Sequence, residues 1–447
     1  MKRLITISLI MLLAAAVYAD YHYANQNGLN LYPYTSWENG AWRIQNAVDA
    51  SSPHDTVYIG VGEWNETIVL DCDSLAIIGM GWDSTLVWSD VEDVPTFEGT
   101  ANRAHSYYIE GLFIRNLAGW AIRAAGGNNL HVNQCRFTGT SGRYGGRGIS
   151  AAYAPNKVSV ENCTFDTLST CIQDILGTNS ETIQNCVFTN FSFTGLNSRT
   201  VCSRIRNNIF AHTGLYNNVA DGHTDTLFFC NNLIYDSYAA ISLGSDYNIF
   251  MNNTIDLRGN NPEVAVLNPG DSCIMTNNSL SNIRKFTHVD GGEYLRLAYN
   301  NFWNVEEEVN VHQGATLDTT GGNLRLNPMY FGDRDYHLQA FSPLIDAGDP
   351  DIFDLDSTRS DIGFLGGPGG EVYDYLDLPP LIPDSITFEV NIDSVIFTWR
   401  MNTESDFNRY LVFRDTISGF EPSPANLIGE KETSFFIDTS FAHGRAN

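Results

Sequence analysis

Eight four-residue phrases decide the fold: Gln134-Cys135-Arg136-Phe137, Asn162-Cys163-Thr164-Phe165, Asn185-Cys186-Val187-Phe188, Asn207-Asn208-Ile209-Phe210, Asn231-Asn232-Leu233-Ile234, Asn252-Asn253-Thr254-Ile255, Asn277-Asn278-Ser279-Leu280 and Asn300-Asn301-Phe302-Trp303. Each is two polar or small residues, any residue, then a large apolar one. Counted from Phe113, the apolar anchors are 24, 28, 23, 22, 24, 21, 25 and 23 residues apart. A period of that length marks a solenoid, because one unit cannot bury its own apolar side and must stack on its neighbours.

What fills the period selects the kind of solenoid. A leucine-rich repeat needs a helical return, and none is patterned here; the apolar positions are Val, Ile and Phe, which suit strands. A second apolar column precedes the anchors: Ile122, Ile149, Ile172, Leu196, Val219, Ile241, Val266 and Val289. Two strand columns per turn predict parallel coils stacked ~4.8 Å apart. The expected fold is therefore all-β, a right-handed parallel β-helix solenoid.

The second residue of the phrase is Cys at 135, 163 and 186, then Asn at 208, 232, 253, 278 and 301. An inward Asn column is explained by a ladder in which each amide bonds the amides above and below, so these residues read as structure. The Cys run fills the same column with small buried side chains. Cys163 and Cys186 on adjacent coils suit either buried thiols or a disulfide.

Lys2-Arg3, the apolar run from Leu4 to Val17, and Val17-Tyr18-Ala19 form a secretory signal with cleavage before Asp20. The run is too short to span a bilayer, so an exported protein without membrane insertion is expected, secreted, at the cell surface or periplasmic. The formal charge is −27. Such acidity argues against DNA, RNA or an anionic membrane as partner. It also disfavours a strongly anionic polysaccharide unless basic residues gather locally.

Residues 20–90 read as an N-terminal cap. Thr35 and Glu38 suggest a capping box, and Ala41, Ile44, Ala47 and Val48 an apolar helix face covering the first coil. Trp37, Trp42, Trp64, Trp82 and Trp88 fall in this part, as packing around the cap or as sugar-stacking platforms. The Gly-rich stretch Gly139 to Gly148 lacks phosphate-loop spacing and reads as a groove wall.

The run Ile44-Gln45-Asn46-Ala47-Val48-Asp49-Ala50, with Asp55-Thr56-Val57 and Gly62-Glu63-Trp64-Asn65-Glu66, resembles the opening of secreted β-helix repeat proteins of the pectate-lyase-like superfamily. Asn327-Pro328-Met329-Tyr330-Phe331, Asp335-Tyr336-His337-Leu338 and Ser342-Pro343-Leu344-Ile345-Asp346-Ala347-Gly348 resemble how such proteins close. The resemblance covers about residues 30–370. It implies a functional groove beside the first strand column, where residues just after each column position point outward: Arg123, Ser150, Gln173 with Asp174, Asn197, Asp221 and Ser242, with His223 and Asp225 in the following turn. In that register Asp174 and Asp221 are two coils, roughly 9–10 Å, apart, near the upper end of the ~6.5–9.5 Å used by inverting glycosidases. Asp174, Asp221, His223 and Asp225 are the candidate catalytic set. Arg123, Arg147, Gln173 and Asn197 are candidate substrate contacts, the arginines suiting a sugar carboxylate. The family's ordered hydrolase motifs and the basic cluster of its lyases are both absent from this sequence.

Asp354, Asp356 and Asp361 offer hard oxygens of the kind Ca²⁺ takes; a metal-free Asp-rich turn is the other reading. Residues 369–383 read as a linker. From 384 to 447 alternating strands return, and Trp399 and Tyr410 resemble the core aromatics of a fibronectin type III sandwich, here a partial one. The expected function is binding, with cleavage as a further step, of extracellular polysaccharide; a non-catalytic adhesion or structural repeat protein is the alternative.

Overall fold

The computed structural model describes residues 19–100, 105–124, 129–140, 145–151, 157–178, 180–212, 218–222, 225–237, 240–242, 245–258, 265–267, 270–332 and 334–439, with side chains described there except at 174–178, 198–199, 218–222, 240, 242 and 267. Residues 1–18, within the stretch read from the sequence as a secretory signal, lie outside the described residues. The chain divides into two compact units, residues 1–169 with 174–179, and residues 170–173 with 180–447.

In the first unit the strands Tyr21–Ala24, Thr56–Ile59, Leu75–Gly79, Ser106–Glu110, Asn129–Asn133 and Lys157–Glu161 pair in parallel, each with the equivalent strand of the next coil. A second set, including Thr85–Ser89, Phe113–Asn116, Arg136–Thr138 and Thr164–Asp166, pairs the same way. The second unit repeats the pattern through Ser180–Gln184, Cys202–Arg206, Thr226–Cys230, Tyr247–Met251, Ser272–Thr276, Tyr294–Ala298 and Thr316–Asp318. Coil-to-coil parallel pairing makes a right-handed parallel β-solenoid with almost no helix.

Three strands form each full coil where the anchors predict two. The added one stands immediately before the phrase and alternates in burial: Leu227 and Phe229, Asn248 and Phe250, Cys273 and Met275, and Leu295 and Leu297 face inward. Stacked rings show how the columns close the core. Phe137 and Phe165 lie 4.6 Å apart in the first unit, Phe188 and Phe210 4.8 Å and Phe229 and Phe250 5.2 Å in the second, all with nearly parallel planes. Those separations follow the spacing of hydrogen-bonded strands, so like residues on successive coils meet face to face.

Register corrects several positions. Phe137 pairs with Ile114 and Leu280 with Phe302, so the first and last anchors are Ile114 and Phe302 rather than Phe113 and Trp303. In the other column Ala220, not Val219, pairs with Leu196 and Ile241, beside an irregularity at Asn218. Thr287, not Val289, pairs with Val266.

The ladder runs through Asn208, Asn232, Asn253, Asn278, Asn300 and Asn323, with amide-to-amide distances of 3.0, 3.2, 3.0, 2.8 and 3.1 Å. Each Oδ1 also accepts a backbone N–H from the preceding coil, as from Asn253 to Asn278 at 2.9 Å. Asn301 is not a rung. Its amide instead exchanges two 2.9 Å hydrogen bonds with the backbone of Leu326, mimicking a strand neighbour. The cause is one residue of slippage in the corner. The residue before each rung is left-handed (Asn207, Asn231, Asn252, Asn277), with Tyr299 at φ 58° in that place before Asn300 and Gly322 before Asn323. A left-handed corner favours Asn among residues with a side chain, which explains the first letter of the phrase.

Those corner asparagines also hold down a C-terminal strap. Asn207 donates to Gly369, Asn231 to Phe364 and Gly366, and Asn252 to Asp361, while Asn277 accepts from Asp349. Tyr373 and Tyr375 extend the attachment, accepting from the Leu338 amide and donating to Asp361. All eight cysteines are thiols, and Cys163 and Cys186 point their Sγ atoms at the carbonyls of Glu161 and Gln184. Beyond the strap, two small antiparallel sheets follow. One is Thr387–Val390, Val395–Thr398 and Phe435–Asp438; the other is Tyr410–Phe413 and Leu427–Lys431. Trp399 meets Tyr410 edge-on at 5.0 Å between them.

The helix is Ile44–Asp49, and its buried residues Ile44, Ala47 and Val48 face the first coil. Thr35 and Glu38 do not cap it. Buried Glu66 does, accepting from the amides of Ile44 at 2.9 Å and Gln45 at 3.3 Å. A carboxylate from a later strand supplies what a local box would, because the helix start is fixed by docking and not by the chain before it. Glu66→Ala is expected to cost about 1–2 kcal/mol. Amide exchange at Ile44 and Gln45 should then accelerate by roughly tenfold or more; unchanged exchange would remove Glu66 from this role.

Candidate functional site

Along a strand of a solenoid wall, alternate residues face the core and the outside. In the first unit Val87, Ile114 and Phe137 are fully buried, so their flanking residues form the exterior. Register then assembles that exterior: Trp88 pairs with Arg115, Leu86 with Phe113, and Phe113 with Arg136. The Arg115 guanidinium carbon lies 5.1 Å from the centre of Trp88. That of Arg136 lies 5.2 Å from Phe113 and 6.0 Å from Trp82.

The neighbouring strands Trp120–Ala124 and Arg147–Ser150 bring two sequence-predicted residues together. Trp120 pairs with Arg147 and Arg123 with Ser150. Arg147 stacks over Trp120 at 5.4 Å, while Arg123 bonds Glu98 at 2.5 Å. Arg123 is thus already neutralised. Arg115, Arg136 and Arg147 make no ion pair among the described residues. The Nε atoms of Arg115 and Arg136 are buried without a hydrogen-bond partner there. Ring stacking holds these guanidinium planes in place and leaves their charge without a carboxylate partner.

Sequence reasoning chose Arg147 and missed Arg115 and Arg136. The signal was present, since both flank a buried anchor at the alternate position, but anchors were read as core markers and their neighbours were not followed. The five tryptophans do not form one platform. Trp64 is buried, Trp37 packs on Tyr23 at 4.8 Å, and Trp82 and Trp88 join the arginines.

The other predicted residues are placed as follows. Gln173 and Asp174 lie on the strand Thr170–Thr178, with Asp174 described by its backbone alone. Asn197 pairs with Asp221 and Asp221 with Ser242, so these three positions share one register row, with Asp221 and Ser242 described by their backbone alone. His223 lies outside the described residues. Asp225 is exposed, and its carbonyl accepts from the Tyr247 amide at 3.1 Å. Positions 141–144 of the Gly-rich stretch also lie outside the described residues.

The Ca²⁺ reading of Asp354, Asp356 and Asp361 is corrected by what their oxygens do. Asp354 accepts the amides of Asp361 and Gly367, and Asp356 accepts the amide and hydroxyl of Thr358. Asp361 accepts the Asp346 amide and the Tyr375 hydroxyl. Among the described residues no group of three His, Cys, Asp or Glu gathers around one point. The carboxylates replace missing backbone partners in an irregular strap, so they do not fit the ion.

Burial raises the Asp361 carboxyl to about 6, against opposing hydrogen bonds from Tyr375 and Asp346. A carboxyl raised in the folded state favours the protonated fold. The strap is therefore expected to be most stable below pH 4 with respect to this group and to lose that contribution as pH rises through about 6. The loss is on the order of 1–3 kcal/mol. Asp361→Asn should flatten the dependence, read as proteolytic cleavage of the strap across pH 4–7; a slope equal to that of the parent would assign it to other groups.

No protein-family model matches the sequence, and no curated protein matches it. Solved structures similar to it include a pectin methylesterase from carrot, at 9% identity over 61% of this chain and 84% of that one, with a TM-score of 0.33. A mannuronic acid-specific polysaccharide family 6 lyase from human gut microbiota is 14% identical over 67% and 82%, with a TM-score of 0.38. A GH87 alpha-1,3-glucanase from Streptomyces thermodiastaticus is 12% identical over 63% and 65%, with a TM-score of 0.37. The parallel β-solenoid assigned above rests on strand register and stands without these likenesses.

Proposed function

We propose that this protein is an exported β-solenoid that binds an acidic polysaccharide on the exterior of its first unit. The observation that supports it is the set of three arginines, Arg115, Arg136 and Arg147, each stacked on an aromatic ring and none ion-paired among the described residues. Aromatic faces suit the C–H side of a sugar ring, and guanidinium forks suit its carboxylate. Guanidiniums without carboxylate partners among the described residues answer the objection raised by the net charge of −27, because screening in salt confines electrostatic effects to about 8–10 Å and makes local charge matter more than the total.

Cleavage is the second part of the proposal. Asp221 pairs with Asn197 on one side and Ser242 on the other, and the sequence candidates Asp174 and Asp221 are each a carboxylate that hydrolysis could use as acid or base. The deciding experiment is a panel of polygalacturonate, alginate and neutral glucans, followed for retention, new reducing ends and unsaturated products. Retention of the polyuronates with turnover lost in Asp174→Asn and Asp221→Asn supports both parts. Retention without turnover makes the protein a binding or adhesion module. Absence of polyuronate retention overturns the reading.

A further inference from the structure

A cleft of about 390 Å³ opens on the second unit, lined by Asp256, Arg258, Ser281, Asn282, Trp303 and Tyr330, with Pro328 at its edge. Its back wall is one register column: Asp256 pairs with Ser281 and Ser281 with Trp303. The Tyr330–Gly332 and Asp335–Leu338 hairpin closes one side. Nothing in the sequence reading pointed here, because the column is the residue after each anchor and the hairpin lies far along the chain.

Asp256 is the keystone. Its carboxylate is almost wholly buried and accepts from Arg258 Nε at 2.8 Å, Asn282 Nδ2 at 2.7 Å and the Tyr336 hydroxyl at 3.1 Å. Those bonds fix the orientation of Arg258 and Asn282 and cancel the guanidinium charge. Tyr330 is held by a 2.6 Å bond to Ser279. One group is under-satisfied: Ser281 is 1% exposed, and its Oγ makes no hydrogen bond of ordinary geometry among the described residues, with only the Tyr330 hydroxyl as a weak polar neighbour. A buried hydroxyl so weakly paired carries a desolvation cost, and a ligand or water in the cleft would remove it.

We propose that this cleft is a binding site for a neutral pyranose unit, separate from the arginine face of the first unit. Indole, phenol and proline rings supply an apolar wall, while the Asn282 amide and the Arg258 guanidinium supply polar groups and the buried Ser281 hydroxyl lies in the back wall. That combination matches a sugar ring, with C–H faces and a hydroxyl edge. The charge balance selects a neutral one, because the lining carries one carboxylate and one guanidinium already bonded to each other. A uronate would meet no unopposed positive charge. The size agrees with small-ligand sites, which run about 300–1,000 Å³.

The test is calorimetric titration of the mature chain with cellotriose, maltotriose, laminaritriose and trigalacturonate. Saturable binding of a neutral trisaccharide is expected, weakened about tenfold in Trp303→Ala and less in Trp303→Phe. Ser281→Ala should weaken it severalfold. Arg400 lies 4.7 Å from the Trp303 ring centre, so Arg400→Ala, which should bind as the parent does, separates loss of the sugar wall from loosening of the C-terminal sheets. Preference for trigalacturonate, no binding of any neutral probe, or equal affinity in Trp303→Ala each overturns the proposal. Its failure and that of the first-unit reading are distinguishable, because Arg115→Ala with Arg136→Ala should leave neutral-sugar binding intact.

Discussion

Asn278→Ala is expected to destabilise the second unit by on the order of 3–5 kcal/mol. The side chain is fully buried and donates to Phe250, Thr276 and Asn300 while accepting both the backbone and side-chain N–H of Asn253. Alanine deletes all of these at once: the Asn253 backbone N–H loses its acceptor, the Asn253 amide keeps only its bond to Phe229, and Asn300 Oδ1 keeps only the backbone N–H of residue 278. In a column packed at strand spacing the desolvation penalties add to the lost bonds. The control is Asn304→Ala. Asn304 is exposed, donates to Asn282 at 3.2 Å, accepts from Arg400 at 3.3 Å and is left-handed at φ 53°, so alanine there should cost no more than about 1–2 kcal/mol, most of it backbone strain. Urea unfolding followed by circular dichroism and by exchange of the Phe250 and Phe302 amides measures both. Equal behaviour of the two variants would show that the ladder is not a principal source of stability. Because repeats unfold by neighbouring segments, local exchange is the more direct readout.

Polyuronate binding is expected to fall by at least about 100-fold in the double variant Arg115→Ala with Arg136→Ala, since each charge-assisted contact contributes about 1.5–3 kcal/mol. Arg136→Lys should lie between, keeping the charge and losing the planar fork stacked on Phe113 and Trp82. Arg325→Ala should have no effect, because Arg325 is committed to Glu308 at 2.5 and 2.8 Å. Binding should also weaken steeply with added salt. Retention of parental affinity in the double variant, with folding verified by circular dichroism, would dissociate the arginine face from polysaccharide binding.

The repeated phrase carried most of the fold. Its second letter marks the ladder, and its apolar fourth letter marks a strand that stacks like on like, so a parallel β-solenoid was legible from spacing alone. The two errors at its ends, Phe113 for Ile114 and Trp303 for Phe302, share one cause. Apolar residues stand on both sides of the strand there, and only a neighbouring coil says which faces in. The third strand per coil was written as plain alternation but was hidden by the stronger phrase beside it. The helix cap was not legible at all, because Glu66 lies 22 positions from Ile44.

The candidate sites divide along the same line. A row such as Asn197, Asp221 and Ser242 follows from period and register, which are one-dimensional properties of the chain. The meeting of Asp256 with Tyr336, or of Asn231 with Phe364, joins residues 80 and 133 positions apart. The sequence by itself determined the repeating coil, because each repeat contacts only its neighbours and nearest-neighbour contacts recur at a fixed spacing. Tertiary structure alone decided where the strap and hairpin return, which guanidiniums find carboxylates and which carboxylates are consumed by backbone amides. Those outcomes depend on long-range closure, for which no period exists to be read.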